Sequence, residues 1–182
     1  KAVIEACAEK EAPVFLQVSQ GAIKYAGLEE AAALVSTMAA KVSIPVALHL
    51  DHGTSYEQNV QCLRAGFTSL MYDGSKEPFE TNVKISEEIA RMTHACGIPL
   101  ECELGIIPKI EDYLTEEQMK PLKEGKVEGI LDLMSEDEVK KLYAGNTSPD
   151  QALEFKERTG CDSMAVAIGA IHGMTGRGSK LD

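Results

Sequence analysis

Five short apolar runs recur along the chain, with helical patterns between them. The runs cover residues 13–19, 45–52, 67–73, 98–104 and 163–169, and the helical patterns cover residues 28–42, 55–65, 79–96 and 149–159. Strands that alternate with helices form βαβ units and a parallel sheet. Because the crossovers of such units are right-handed, the pattern leaves either an α/β barrel or an open, doubly wound sheet.

Each apolar run has a polar side chain at or near its end, and glycine follows that side chain within two residues. The polar residues are Ser19, Asp51 with His52, Asp73, Glu103 and His172. Catalytic groups of α/β barrels lie at the carboxyl ends of the strands, which meet at one rim. The pattern therefore predicts one shared site lined with carboxylates and imidazoles.

The segment 49–53, His-Leu-Asp-His-Gly, stands at the end of the second run. Asp51 and His52 are adjacent, so on a regular strand their side chains point to opposite faces. Where the strand gives way to a loop, both could reach one pocket, one to bind a metal and the other to move a proton. The alternative is an ordinary polar loop start. His49 is interpreted as a supporting or core residue, and His94, on a predicted helix, as a surface residue.

The polar residues at the strand ends include donors suited to a metal. His52 and His172 offer imidazole nitrogens, and Asp73 and Glu103 offer carboxylate oxygens. This mixture suits zinc or a similar divalent ion. Each histidine could instead be a buried, hydrogen-bonded side chain. No lysine lies within an apolar run, which argues against a Schiff-base mechanism in this part of the protein.

The net charge and the cysteine content limit the kinds of partner and the cellular location that the sequence favours. The formal net charge of −11 disfavours nucleic acid and anionic membranes as partners, although a few placed donors still suffice for a small anionic substrate. The five cysteines form no CxxC motif, which is typical of reduced thiols in a cytoplasmic protein. The chain begins with Lys1, and residues 1–10 already show a helical pattern, so we expect an internal piece of a larger domain.

The interval 106–147 interrupts the alternation of strands and helices. It is highly charged and contains Pro108 and Pro121, which predicts a long charged loop over a solvated surface. A loop of this length after a strand is often functional or mobile.

The glycine-rich stretch of residues 173–179 could hold a phosphate with its backbone N–H groups.

Together, the motifs resemble those of the class II, zinc-dependent fructose-1,6-bisphosphate aldolases and their tagatose-bisphosphate relatives. The matching segments are 14–25, 45–55, 66–73, 101–105 and 165–173, in order and at similar spacing. The resemblance implies a TIM (β/α)8 barrel, of which this chain supplies strands two to six as one partial domain over residues 1–182. The stretch 115–143 is longer than in typical members of the family.

The resemblance also implies a metal centre. His52 and His172 would be two of the three histidines that hold the catalytic zinc, and the third would lie outside this chain. Asp73 and Glu103 would be ligands of a second or displaced divalent position.

The same resemblance implies the reaction, a reversible cleavage of fructose 1,6-bisphosphate to dihydroxyacetone phosphate and glyceraldehyde 3-phosphate. Asp51 would be the acid/base at the substrate hydroxyl, and Glu111 would exchange the proton at the nucleophilic carbon. Ser19 and Gly173 would contact the substrate phosphate or the shell around the metal. Two alternatives stay open: an aldolase for tagatose 1,6-bisphosphate, and a non-catalytic barrel subunit that supports an aldolase partner. A homodimer or homotetramer is expected.

Overall fold

The computed structural model describes residues 1–172, and their five strands lie inside the five predicted runs. Continuous apolar runs of this length are typical of buried parallel strands, which is why the sequence locates them well. The strands are β1 (Val14–Ser19), β2 (Val46–Asp51), β3 (Leu70–Tyr72), β4 (Leu100–Leu104) and β5 (Ser163–Val166).

The strands lie side by side in chain order. In the parallel pair β1 and β2, Ser19 is opposite Asp51. A parallel bridge between His49 and Ser69 joins β2 to β3, and β3, β4 and β5 follow one another in the next sheet segment. A doubly wound sheet reverses its strand order at a switch point, and no reversal occurs among these strands. Of the two folds that the sequence leaves open, this order matches the barrel.

Helices follow the strands largely as predicted. The four predicted helices are present, and a further helix of residues 20–26 directly follows β1. The α-helices are α1 (Ala2–Glu9), α2 (Gln20–Ala26), α3 (Leu28–Ala39), α4 (Tyr56–Ala65), α5 (Phe79–Ala95), α6 (Lys120–Lys123), α7 (Glu136–Ala144) and α8 (Pro149–Thr159). None of the described helices is long and apolar enough to cross a membrane.

Local chemistry sets several of the helix ends. The side chain of Ser55 caps α4 by accepting a hydrogen bond from the N–H of Gln58. Gly66 ends the same helix in the left-handed conformation, with φ 98°. Gly160 follows α8 with φ 71°. These residues explain why the boundaries of α4 and α8 could be predicted closely.

The alternation of side chains along the strands separates an apolar face from a polar one. Buried residues on one face include Leu48, Leu50, Leu70, Tyr72 and Leu100. The intervening positions carry polar groups, among them His49 and Glu101. The strands that carry the polar end residues are therefore held in place by the apolar side chains that their opposite face buries in the core.

The chain forms two compact units. The first comprises Lys1–Glu103 with Phe155–Met164, and the second begins with Leu104–Glu154. The segment 106–147, for which the sequence predicts a long charged loop, contains α6, α7 and two 3-10 turns, Ile110–Asp112 and Ile130–Leu133. The apolar residues of this segment come together in one cluster. In the sequence, charged residues separate them, so the cluster leaves no apolar run. The buried members are Ile110, Leu114, Met119, Ile130 and Leu142, together with Ile171 from beyond the segment.

Candidate metal and catalytic centre

The backbone of His52 takes an unusual conformation. Strand β2 ends at Asp51, and His52 has φ 52°, in the left-handed region that side chains other than glycine seldom adopt. Its N–H donates to Sδ of Met71 at 3.4 Å, and its carbonyl accepts from Nε2 of Gln20 at 2.6 Å. Such a conformation costs about 1 kcal/mol and persists where its surroundings enforce it.

The left-handed turn ends the alternation of the strand, so the side chains of Asp51 and His52 are not held on opposite faces. Oδ1 of Asp51 lies 4.0 Å from Nε2 of His52. Both side chains are about one third exposed, at 30% and 34%. The conformation of this single residue allows the two neighbouring side chains to lie close together.

Three predicted ligands meet at the ends of neighbouring strands. Nδ1 of His52 lies 3.0 Å from Oδ2 of Asp73 and 3.5 Å from Oε2 of Glu103. One donor atom from each of the three residues lies within 4.8 Å of the other two. An imidazole with two carboxylates is a donor set that suits zinc and related divalent ions.

Ser75 orients Asp73. Its hydroxyl donates to Oδ1 of Asp73 at 2.6 Å and its N–H donates to the same oxygen at 3.1 Å. Oδ2 is thereby directed to His52. Sequence reasoning missed Ser75, although an Asp-Gly-Ser sequence after a strand is a signal for a turn in which the carboxylate accepts from the second residue on.

Asn82, on the buried side of α5, supports Glu103. Its Nδ2 donates to the main-chain carbonyl of Glu103 at 3.0 Å, and its Oδ1 accepts from the hydroxyl of Ser86 at 3.1 Å. A Cβ added at Gly74 would collide with the Asn82 side chain, so a larger residue there would displace Asn82. The sequence held a signal for this role, because the polar residue Asn82 lies beside Val83 in the apolar stripe of the predicted helix. Sequence reasoning did not use that signal.

The hydrogen bond between His52 and Asp73 dominates the electrostatics of the pair. It raises the pKa of His52 above its ordinary value, against the opposing effect of burial. Burial by itself would raise the pKa of Asp73, but the hydrogen bonds from His52 and Ser75 outweigh it and lower that pKa to about 2. Asp73 is therefore ionised at neutral pH.

Glu103 is the residue whose surroundings most favour a bound cation. It is 2% exposed, and its Oε2 has no hydrogen-bond partner. Burial, reinforced by the negative charge of Asp73, raises the pKa of Glu103 to about 7. An unpaired carboxylate oxygen is costly to bury unless a cation or a donor satisfies it. The residues therefore fit a divalent metal.

Ser19 has a structural role at the end of β1. Its hydroxyl accepts from the N–H of Ala22 at 3.3 Å and caps α2. In the sheet register it stands opposite Asp51. A hydroxyl retains a proton to donate after accepting one bond, so this position remains compatible with a substrate contact.

The two other histidines of the first unit have separate surroundings. His49 is buried, with Nδ1 2.8 Å from the hydroxyl of Ser69 and Nε2 3.6 Å from Oε2 of Glu101. Burial lowers its pKa, so the neutral form is favoured. His94 lies on α5, where its Nε2 is 2.8 Å from Oδ2 of Asp162. Neither belongs to the group of His52.

The remaining predicted residues lie in or beyond the second unit. The main chain of His172 forms a parallel bridge with Lys109. Glu111 is exposed and follows Ile110 in a 3-10 turn. Gly173 lies outside the described residues. The first unit thus brings together Asp51, His52, Asp73 and Glu103, and the second carries Glu111 and His172.

Comparisons with known proteins agree with this fold. The chain matches the class II fructose-bisphosphate aldolase family over residues 1–182. It is 39% identical to a fructose-bisphosphate aldolase of Thermus caldophilus, covering 95% of this chain and 49% of the relative. A second relative with that description, from Helicobacter pylori, is 37% identical, with 94% and 49% covered. The crystal structure of the YdjI aldolase of Escherichia coli K12 superposes with a TM-score of 0.70 at 34% identity, covering 93% of this chain and 52% of that one.

Parallel strands in chain order, with an imidazole and carboxylates at their carboxyl ends, are the arrangement of an α/β-barrel protein with a candidate metal site at the strand ends. The chain belongs to the class II fructose-bisphosphate aldolase family. The barrel predicted from the sequence is confirmed by the family and by the solved neighbours. The chain spans about half the length of the curated relatives it matches.

Proposed function

We propose that the full-length protein containing this chain cleaves fructose 1,6-bisphosphate reversibly to dihydroxyacetone phosphate and glyceraldehyde 3-phosphate, with zinc as its metal. The observation that carries the proposal is the cluster of His52, Asp73 and Glu103 at adjoining strand ends, with Asp51 beside it. The relatives from Thermus caldophilus and Helicobacter pylori are named for fructose bisphosphate, which favours that sugar over tagatose 1,6-bisphosphate.

Histidines at the strand ends would hold the metal. His52 and His172 would bind the catalytic zinc, with a further donor from outside this chain. Asp73 and Glu103 would be ligands of a second or displaced position, which the short distances of their donor atoms from one another and from that of His52 support. When bound, the zinc ion supplies a Lewis acid that polarises the ketone oxygen of the substrate.

Asp51 would move the proton of the hydroxyl next to the scissile bond. In cleavage that proton passes to the Asp51 carboxylate, the hydroxyl carbon becomes the aldehyde, and the electron pair of the broken C–C bond goes to the carbon beside the ketone. The side chain of Asp51 is 30% exposed, so a substrate hydroxyl has access to it. In condensation Asp51 would return the proton.

Glu111 would deliver a proton to the carbon beside the ketone and so complete the release of dihydroxyacetone phosphate. Its exposed position in a turn of the second unit leaves the carboxylate accessible to substrate. Ser19, and Gly173 beyond the described residues, would contact a substrate phosphate or the shell around the metal.

The test is an assay of the full-length protein with fructose 1,6-bisphosphate and, in parallel, tagatose 1,6-bisphosphate. The expected result is about one zinc per chain, faster cleavage of the fructose substrate, loss of cleavage with a chelator, and recovery on adding zinc. Cleavage of neither sugar by the zinc-loaded protein would refute the proposal and support a non-catalytic barrel subunit.

Sedimentation of the same preparation would test the homodimer or homotetramer, and fractionation of cells would test the proposed cytoplasmic location.

A further inference from the structure

The main chain of His172 is fixed by the first residues of the segment 106–147. Its N–H donates to the carbonyl of Pro108 at 2.8 Å, and its carbonyl accepts from the N–H of Ile110 at 3.3 Å. These two bonds form the parallel bridge between Lys109 and His172. Because both of its main-chain polar groups are paired, the direction in which the Cα–Cβ bond of His172 projects depends on where residues 108–110 lie.

Residues 108–110 are in turn anchored in the apolar cluster of the second unit. Ile110 is next to Lys109 and Ile171 is next to His172, so each strand of the bridge contributes a neighbour to that cluster. Ile130 and Leu142, each 2% exposed, are its most buried members together with Leu114. Removing buried methyl groups from such a cluster leaves a cavity and loosens what it supports.

The two ends of the segment are also tied together. The N–H of Ile106 donates to the carbonyl of Gly145 at 3.0 Å, and the N–H of Thr147 donates to the carbonyl of Ala167 at 2.8 Å. The hydroxyl of Thr147 accepts from the N–H of Ala167 at 2.8 Å and donates to the carbonyl of Leu104. The segment is therefore closed at its base, and its apolar cluster holds a fixed position relative to the bridge.

We propose that the segment 106–147 is the positioning element for His172 and that buried side chains such as Ile130, which bind no metal themselves, determine the metal affinity of the protein. The inference rests on the proposed function in one respect, the role of His172 as a ligand. Glu111 directly follows Ile110, so the same turn that fixes the ligand also fixes the proposed proton donor. The segment therefore couples the placement of the two groups.

A matched pair of substitutions in the full-length protein tests this inference. Ile130→Ala removes an isoleucine that is 2% exposed from the segment's cluster, and Ile4→Ala removes one that is 1% exposed from α1. Zinc affinity is measured by competition with a chelating dye, and the visible spectrum of the cobalt-substituted protein reports the coordination geometry. Ile130→Ala is expected to weaken zinc binding about tenfold and to change the cobalt spectrum, as loss of supporting contacts around ligands commonly does. Ile4→Ala is expected to leave both measurements as they are in the parent.

His172→Ala separates failure of this inference from failure of the proposed function. If His172→Ala leaves zinc affinity unchanged, the ligand role is wrong. If His172→Ala weakens zinc binding while Ile130→Ala matches Ile4→Ala, the ligand role stands and the positioning role is overturned. Should Ile130→Ala not fold, Ile130→Val keeps most of the side chain, and an affinity and cobalt spectrum equal to those of the parent would likewise overturn it.

Discussion

Nδ1 of His52 lies 3.0 Å from Oδ2 of Asp73, across the ends of two neighbouring strands. The carboxylate fixes the orientation of the imidazole, as acidic partners of metal-binding histidines do. It also stabilises the protonated ring, which raises the pKa of His52 in the metal-free protein. A metal that binds this ring must displace a proton, so metal affinity should fall as the pH is lowered.

Glu103 should make the metal-free protein less stable at high pH. Its pKa rises from 4.5 to about 7 on folding, so the folded state holds the proton more tightly than the unfolded state. The resulting stabilisation is complete below pH 4.5 and is lost as the pH rises through 7. Glu103→Gln removes this dependence, and the chelator-treated variant should gain about 3 kcal/mol over the parent at pH 8.

Urea denaturation between pH 4 and pH 8 measures this difference. Glu88→Gln, an exposed change on α5, serves as the control and should follow the parent at every pH. Superimposable profiles for Glu103→Gln and the control would contradict the prediction. Added zinc should stabilise the parent and the control far more than Glu103→Gln.

Substitution of the two proposed histidine ligands should lower the metal content of the protein, whereas substitution of another histidine should not. His52→Ala and His172→Ala are each expected to lower the zinc retained after dialysis severalfold, because each removes a nitrogen donor. His94→Ala, whose imidazole pairs with Asp162 on the surface, should keep the zinc content of the parent. Elemental analysis of the purified proteins gives the answer, and full zinc occupancy in His172→Ala would exclude that residue as a ligand.

Asp51 should matter for turnover and not for metal retention. Asp51→Ala is expected to bind zinc as the parent does and to lose 10²–10⁴-fold in kcat, which is the usual contribution of a positioned acid/base. Asp150→Ala, an exposed change at the start of α8, provides the control for removing an aspartate. Loss of zinc with the residual turnover preserved would reassign Asp51 to the metal.

Glu111 should control proton exchange at carbon. In Glu111→Gln, the exchange of the carbon-bound proton of dihydroxyacetone phosphate with deuterated solvent should slow by about 10²-fold, because the amide does not carry the proton. Proton NMR follows the exchange directly, and zinc content should stay at the parent level. Glu116→Gln alters an exposed carboxylate nearby in the sequence and should exchange at the parent rate. Equal rates in the two variants would assign the exchange to another group.

Much of the fold could be predicted because its signals are local. The apolar runs contain all the described strands, and residues such as Ser55 and Gly66 mark helix ends by capping chemistry. The segment 106–147 could not be predicted in this way. Its apolar residues are separated by charged ones, and only the folding of short helices against one another brings Ile110 and Leu142 into one cluster.

The sequence by itself determined the parallel α/β pattern and the polar groups at the strand ends, since both follow from runs and spacings along the chain. Tertiary structure decided the strand order and the left-handed turn that directs His52 to Asp73 and Glu103. It also brought Ser75 into contact with the carboxylate of Asp73 and Asn82 into contact with the carbonyl of Glu103. Local propensity is encoded residue by residue, whereas a ligand cluster requires distant strand ends to meet within hydrogen-bonding distance, which only packing achieves.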